Sequence, residues 1–258
     1  MITSTSSSQV KTVVSLQKKA KTRKETKQFV VEGMKMVSEV PQDRLVKVYF
    51  SESFAAANVS FLNKFAKEQT ELVSDIVFAQ MSDTKTPQGA LAIVKMAQYP
   101  VQDMMKDKPL LLLVENLQDP GNLGTIVRMA EGAGVTGVIL SPNTVDIYNP
   151  KTIRSTMGSV YRVPFFYAKD FTQQLADLKQ AGVRLYAAHL DGNCEYTQPD
   201  YTGASAFLIG NEGNGLRDEV ADQAQVYIRI PMKGQVESLN AAVATAILTF
   251  EAARQRRN

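Results

Sequence analysis

Three loops rich in asparagine and glycine each follow a short apolar run and lead into a segment of helical spacing. They are Asn116-Leu-Gln-Asp-Pro-Gly-Asn-Leu-Gly124, Gly210-Asn-Glu-Gly-Asn-Gly-Leu216 and Ile230-Pro-Met-Lys-Gly-Gln-Val-Glu-Ser-Leu-Asn240. Loops of this kind at the carboxyl edge of a parallel sheet are where open α/β folds collect ligands. Asn and Gly allow positive φ and close backbone approach, and asparagine amides can bind a ligand directly. The first loop ends at a helix start carrying Asn122 and Gly124, with Arg128 a turn further along. Free N–H groups there favour anions, and the arginine adds a bidentate fork for phosphate or carboxylate. The second loop sets Glu212 among glycines at a sheet edge. In the third, Ser238 fits an N-cap, and Asn240 just inside the helix is a poor helix former, a locally unfavourable choice of the sort found at functional sites. Leu239, Ala242, Val243, Ala246, Ile247 and Phe250 share one face, so this last helix is packed and its start is held in place. Taken singly, a surface arginine or a solvated turn explains each loop; three together make a site.

The elements that must carry these loops are legible from periodicity. Strands are expected at 110–115, 137–140, 163–166, 184–188, 206–209 and 226–230, with helices at 123–132, 153–159, 171–181 and 239–256 between or after them. Strands alternating with helices imply a parallel sheet covered on both faces. The N-terminal half reads as a smaller α/β module: helical spacing from Val10, a helix over 31–40 ending at Pro41, strands at 45–50, 76–78 and 91–94, and a helix over 61–69. Residues 1–8, rich in Ser and Thr, are expected to be disordered. The organisation is thus residues 1–100, a linker at 101–108 with Pro100 just before it, and residues 109–258.

Composition narrows the function classes. No apolar run approaches the roughly 20 residues of a membrane helix. One cysteine, Cys194, and one histidine, His189, exclude an internal disulfide and leave no His/Cys cluster of metal-ligand spacing, which points to a cytoplasmic protein without a bound metal. Gly132-Ala-Gly-Val-Thr-Gly137 fits the dinucleotide fingerprint G-x-G-x-x-G, but a helix precedes it and a strand follows, the reverse of what that motif needs. It reads as a helix stop with Gly134 in a left-handed cap. Net charge is +3, unevenly placed: residues 1–30 hold Lys11, Lys18, Lys19, Lys21, Arg23, Lys24 and Lys27 against Glu25 alone. Such a segment on a near-neutral body is a candidate polyanion contact, with Lys18, Lys19, Arg23 and Lys24 as its core and Arg254, Arg256 and Arg257 as additions.

Asn116…Gly121-Asn122-Leu-Gly124…Arg128, Ile209-Gly-Asn-Glu-Gly-Asn-Gly-Leu216 and Ile230-Pro-Met…Val236-Glu-Ser-Leu-Asn240-Ala-Ala-Val resemble, in order and spacing, the three motifs of the SpoU/TrmH branch of the SPOUT RNA 2′-O-ribose methyltransferases. Arg23-Lys24, Phe29-Val-Val-Glu-Gly33 and Thr86-Pro-Gln-Gly89 resemble that family's ribosomal-protein-like substrate-binding domain. The resemblance implies an α/β fold whose C-terminal parallel-sheet domain is tied in a deep trefoil knot, and a homodimer with its active site at the knot interface. It implies S-adenosylmethionine held by the backbone around Gly210, Ile230 and Leu239, and a catalytic surface of Asn122, Arg128, Glu212, Ser238 and Asn240, with Arg128 acting in the partner's site. The implied reaction is methylation of a ribose 2′-hydroxyl, in ribosomal RNA in preference to transfer RNA. The competing class is a non-catalytic RNA-binding or ribosome-assembly factor that keeps the knot as a scaffold.

Overall fold

The computed structural model describes residues 1–257. The chain forms two compact units, Met1–Ala97 with Tyr148–Tyr161, and Gln98–Ile147 with the chain from Arg162 onward.

In the first unit, α1 (Ser8–Lys18) and α2 (Ala20–Thr26) precede β1 (Gln28–Glu32), α3 (Met34–Ser38) and β2 (Leu45–Ser51). Then come α4 (Glu52–Ala57), α5 (Val59–Leu62), β3 (Thr70–Val73), α6 (Asp75–Met81) and β4 (Ala90–Lys95). The sheet order is β1-β4-β2-β3, with β4 antiparallel to both neighbours and β2 parallel to β3. Val10, Val13 and Leu16 recur at helical spacing on α1 and pack with Val30, Tyr49, Phe78 and Leu91.

Several local expectations change here. Residues 76–78 are helical, because the Ser74 hydroxyl accepts from the Val77 N–H as an N-cap, and Val77, Phe78 and Met81 face inward while Ile76 is 82% exposed. The stretch 31–40 divides at Gly33, whose φ of 102° breaks the chain between β1 and α3. The first residues are paired: the Ile2 N–H donates to the Leu72 carbonyl at 2.8 Å, and the Ser74 N–H donates to the Ile2 carbonyl at 3.0 Å. That edge pairing satisfies backbone groups that composition alone left to solvent.

Arg23 also departs from expectation. Its side chain is 3% exposed, and Nη1 donates to the carbonyls of Leu16 (2.8 Å) and Gln17 (3.0 Å), closing the end of α1. It therefore leaves the set of accessible polyanion contacts, in which Lys18, Lys19 and Lys24 remain exposed. Arg23→Ala is expected to lower unfolding free energy by about 2 kcal/mol, by leaving buried helix-end carbonyls unpaired, and to leave the salt dependence of polyanion binding unchanged. Urea unfolding and polyanion titrations at several salt concentrations check the two halves; a changed salt slope with unchanged stability would restore Arg23 to the contact surface.

The second unit carries α7 (Val101–Met104), β5 (Leu110–Val114), α8 (Pro120–Ala133) and β6 (Gly137–Leu140). Between β6 and β7 (Phe165–Tyr167) lies α9 (Pro150–Thr156), which belongs to the first unit. There follow α10 (Phe171–Gln180), β8 (Arg184–Ala188), β9 (Cys194–Glu195), β10 (Ser205–Ile209), α11 (Asp218–Ala221), β11 (Val226–Arg229) and α12 (Ala241–Gln255). The seven strands run in the order β7-β6-β5-β10-β8-β11-β9, every pairing parallel. The central β5 and β10 are buried at every residue, as the unbroken apolar runs Leu110–Val114 and Ala206–Ile209 require of strands covered on both faces. Sequence order governs the β7-β6-β5 end of this sheet but not the β8-β11-β9 end, nor the unit boundary. The expected linker is packed: Met104 is fully buried against Gly137, where a Cβ would lie 2.5 Å from its Cγ, and the Thr136 hydroxyl donates to its carbonyl. Residues 148–161 cluster instead with the first unit, where the Tyr148 ring lies 4.6 Å from that of Phe29 and the Tyr161 hydroxyl donates to the Met36 carbonyl.

Candidate active site

β5, β10 and β11 each end at one of the three loops, so the parallel sheet delivers all three to the same edge. The first begins with Asn116 at φ 51°, a conformation its short polar side chain tolerates. Its N–H donates to the Ser141 hydroxyl at 2.8 Å, and that hydroxyl donates back to Asn116 Oδ1 at 3.0 Å, tying the end of β5 to the end of β6. α8 starts earlier than periodicity suggests. Asp119 is its N-cap, accepting from the Asn122 N–H at 2.8 Å, and Pro120 occupies the first turn; Gly134, at φ 73°, closes the other end.

The anion that this helix start should attract is supplied by the protein. The Glu212 carboxylate accepts from the N–H groups of Gln118 (3.1 Å) and Asp119 (3.0 Å) and from Asn122 Nδ2 (3.1 Å). Burial pushes this carboxyl up, but the hydrogen bonds from Asn122 and from the backbone outweigh it and hold Glu212 below the ordinary carboxylate range. Asn122 Oδ1 in turn accepts from Asn240 Nδ2 at 2.9 Å. Asn240, not Ser238, is the N-cap of α12: its Oδ1 accepts from the N–H groups of Ala242 (2.9 Å) and Val243 (3.3 Å). The residue that propensity marked as costly thus has a structural gain, because a residue unfavourable inside a helix is favourable one position outside it. Ser238 is exposed, and its hydroxyl makes no hydrogen bond among the described residues.

The second and third loops enclose a cavity of about 620 Å³, within the usual range for small-ligand sites. Gly210, Ile230, Leu239, Glu212 and Ser238 all line it. Ala244 and Leu248 of α12 give the lining an apolar part, and residues 209–216 and 228–232, at the ends of β10 and β11 and in the loops after them, supply much of the rest. Asn211 N–H donates to the Gly215 carbonyl at 2.9 Å and Gly215 N–H returns to the Asn211 carbonyl at 3.0 Å, which pins the second loop into a narrow hairpin. The buried Glu115 holds its far end, accepting from the Arg217 N–H and Nε.

Neither Asn122 nor Arg128 lines this cavity. Arg128 projects from α8 as an exposed side chain without an ion pair or hydrogen bond among the described residues. Sequence reasoning passed over Asp191, Glu237 and Asn211, which line the cavity, and set aside His189, which also does. His189 Nδ1 accepts from the Asp191 N–H at 3.2 Å and its ring lies 5.3 Å from that of Tyr227. A lone histidine after a strand carries no spacing signal, so only the fold could place it here. Ser141 and Glu115 were equally silent, since both act through buried hydrogen bonds to distant segments. Arg254 pairs with Glu251, while the Arg256 guanidinium donates to the carbonyls of Tyr201, Lys108, Pro109 and Gly203, so neither is a free C-terminal cation. Among the described residues no group of three or more His, Cys, Asp or Glu could hold a metal, and no helix is long and apolar enough to cross a membrane.

Residues 109–250 match the SpoU rRNA Methylase family, and residues 7–92 match the MRM3-like substrate binding domain. The chain belongs to the SpoU rRNA methylase family. It is 32% identical over 242 residues to the 23S rRNA (guanosine(2553)-2'-O)-methyltransferase RlmP of Bacillus subtilis, covering 90% of this chain and 92% of that one. It is 28% identical over 239 residues to the 23S rRNA (guanosine-2'-O-)-methyltransferase RlmB of Shewanella oneidensis, covering 89% and 97%. The crystal structure of AdoMet-bound rRNA methyltransferase from Sinorhizobium meliloti aligns with a TM-score of 0.86 at 32% identity, over 98% of this chain and 97% of that one. This SpoU methylase is therefore an S-adenosylmethionine-dependent RNA methyltransferase of SPOUT fold, and the enzymatic reading prevails over a bare scaffold. Its cavity fits the cofactor on its own terms. Apolar residues such as Ala244 and Leu248 suit a nucleoside base, polar ones such as Asn211 and Ser238 suit its polar groups, and Gly210 keeps the wall thin where a Cβ would lie 2.2 Å from the Gly215 carbonyl carbon.

Proposed function

We propose that this SpoU methylase, acting in the cytoplasm, transfers a methyl group to a ribose 2′-hydroxyl of ribosomal RNA, and that it does so as a homodimer. The observation that carries the reading is the division of the site: a cavity built from the second and third loops, and an unpaired arginine on the helix after the first. S-adenosylmethionine, when bound, supplies a methyl group on a sulfonium. The chain's own part is to hold that group by loop backbone and to align the acceptor, and positioning of this kind supplies much of the rate acceleration. Arg128 stabilises the developing alkoxide or grips the adjacent phosphate; a guanidinium offers donors and no acceptor atom, so it is not the proton acceptor. The Ser238 hydroxyl, on the cavity wall without an internal partner, is available to the acceptor ribose. Glu212 and Asn240 stand beside it, joined to each other through Asn122.

A second copy is supported by α12, which leaves Val243 (48%) and Phe250 (40%) exposed on one side at a seven-residue spacing. Arg128 lies off its own cavity, which suits action in the partner's site. Ribosomal RNA is favoured because the relatives from B. subtilis and S. oneidensis are named for 23S rRNA, and because an N-terminal substrate-binding domain precedes the methylase. Lys11, Lys18 and Lys19 line a shallow groove with Ser15 and Gln80, a suitable seat for RNA phosphates. Mapping of 2′-O-methyl groups in total RNA from cells with and without the gene tests the proposal. One ribosomal site should disappear; loss of a transfer-RNA site alone would reassign the substrate, and an unchanged map would refute the activity.

A further inference from the structure

The first loop supplies no residue to the cavity wall, whereas the second lines it from Ile209 to Leu216 and the third lines it at 230–232 and 237–239. Yet the second loop is held in place from the first. Glu212 accepts from Gln118 N–H, Asp119 N–H and Asn122 Nδ2, and Asn211 Nδ2 donates to the Asn116 carbonyl at 2.8 Å. The third loop joins through Asn240 Nδ2, which donates to Asn122 Oδ1.

The polarity of this chain of bonds is fully determined. An ionised carboxylate only accepts, so Asn122 must turn its Nδ2 to Glu212 and its Oδ1 to Asn240. Asn240 must then present Nδ2, which leaves its Oδ1 for the first N–H groups of α12. Reversing any amide would set two donors or two acceptors face to face. Both helices keep their caps without the Asn122 side chain, because Asp119 caps α8 through the Asn122 backbone N–H and Asn240 caps α12 itself. The Asn122 amide therefore does one thing: it locks the two cavity loops to the loop that leads into the Arg128 helix.

We propose that Asn122 is a positioning residue of the cofactor cavity rather than a group of the acceptor site, and that it couples donor binding to the order of the Arg128 helix start. The inference rests on the reading that this cavity takes S-adenosylmethionine. Coupling between two binding events is reciprocal, so RNA that orders residues 116–124 tightens the donor, and bound donor presents Arg128 in its working position.

The test is calorimetric titration of the full-length protein with S-adenosylhomocysteine, beside steady-state kinetics. Asn122→Ala should bind about tenfold more weakly, the size expected for losing a hydrogen bond to a charged group, with the melting temperature lowered by no more than a few degrees because both bonds are exposed. Its KM for the donor should rise by the same factor, with a smaller fall in kcat. Asn122→Asp, which faces Glu212 with a second carboxylate, should bind more weakly still. Wild-type affinity in Asn122→Ala together with lost turnover would overturn the proposal and return Asn122 to the acceptor site. An Asn122→Asp variant that binds as tightly as the wild type would overturn it as well. Failure of the wild-type protein to bind S-adenosylhomocysteine would instead refute the reading of the cavity.

Discussion

Arg128→Ala is expected to lower kcat for methyl transfer by about 10²–10³, the loss typical of removing one preorganised group that stabilises transition-state charge. Donor affinity should stay at the wild-type value. The reason is geometric: Arg128 lies on no wall of the cavity and holds no partner among the described residues, so its removal leaves the donor site and the helix intact. An exposed, unpaired arginine contributes little to folding, so the effect should appear in rate and not in stability. Arg128→Lys should recover only part of the rate, because an ammonium retains charge without the planar two-donor fork. Rapid-quench single-turnover kinetics with an unmodified 23S ribosomal RNA transcript, read beside calorimetry, separates the two quantities. A variant that loses donor affinity and keeps its single-turnover rate would place Arg128 in the cofactor site and sink the proposed role.

Gly210→Ala should act on the donor side instead and weaken donor binding. Gly210 lies in an ordinary backbone region, so a side chain there meets no torsional penalty; the obstacle is space. A Cβ would lie 2.2 Å from the Gly215 carbonyl carbon and 2.4 Å from the Leu216 nitrogen, and backbone cannot rotate away as a side-chain tip can. The paired hydrogen bonds between Asn211 and Gly215 must open to admit it. Overpacking of this kind costs about 1–3 kcal/mol. Here the displaced atoms are the cavity rim, so we expect affinity for S-adenosylhomocysteine to fall by about a hundredfold or more. Near-wild-type binding would show that the second loop has another conformation as good as this one. The two variants also test the subunit arrangement together. In a mixed dimer, the Arg128→Ala protomer still offers an intact cavity and the Gly210→Ala protomer an intact arginine. If Arg128 acts across the interface, an equal mixture of the two inactive proteins should regain about a quarter of wild-type activity, since about half the dimers are mixed and each has one complete site. If it acts in its own subunit, no activity should return.

The separation between these two effects follows from how the site is assembled. The proposed donor cavity is lined by loops tied to one another by hydrogen bonds, and the proposed acceptor side rests on one exposed arginine of α8. The Glu212 carboxylate sits between them. Chain distance had suggested a helix start open to an external anion, but a carboxylate some ninety residues later reaches it first, with three donors already engaged. A phosphate of the substrate would therefore be bound elsewhere, at Arg128 or on the lysines of α1.

Much of this protein can be read directly from its sequence. Unbroken apolar runs such as Leu110–Val114 require a sheet buried on both faces, and their regular alternation with helical segments requires parallel pairing; both are properties of local composition and period. The Asn/Gly loops announce a ligand edge because such residues are costly in regular structure, and the order of three of them was specific enough to indicate the family. The tertiary structure decided what no local rule encodes. Arg23 lies in a basic run that favours solvent, and burial against the carbonyls of Leu16 and Gln17 removes it from that surface. Met104 reads as part of a linker until it meets Gly137. Asn240 reads as a misplaced helix residue until its own oxygen caps α12 and its nitrogen finds Asn122, 118 positions away. Local pattern records what each segment can form alone, whereas a hydrogen bond between loops depends on three-dimensional proximity that the sheet order creates and that sequence separation does not reveal.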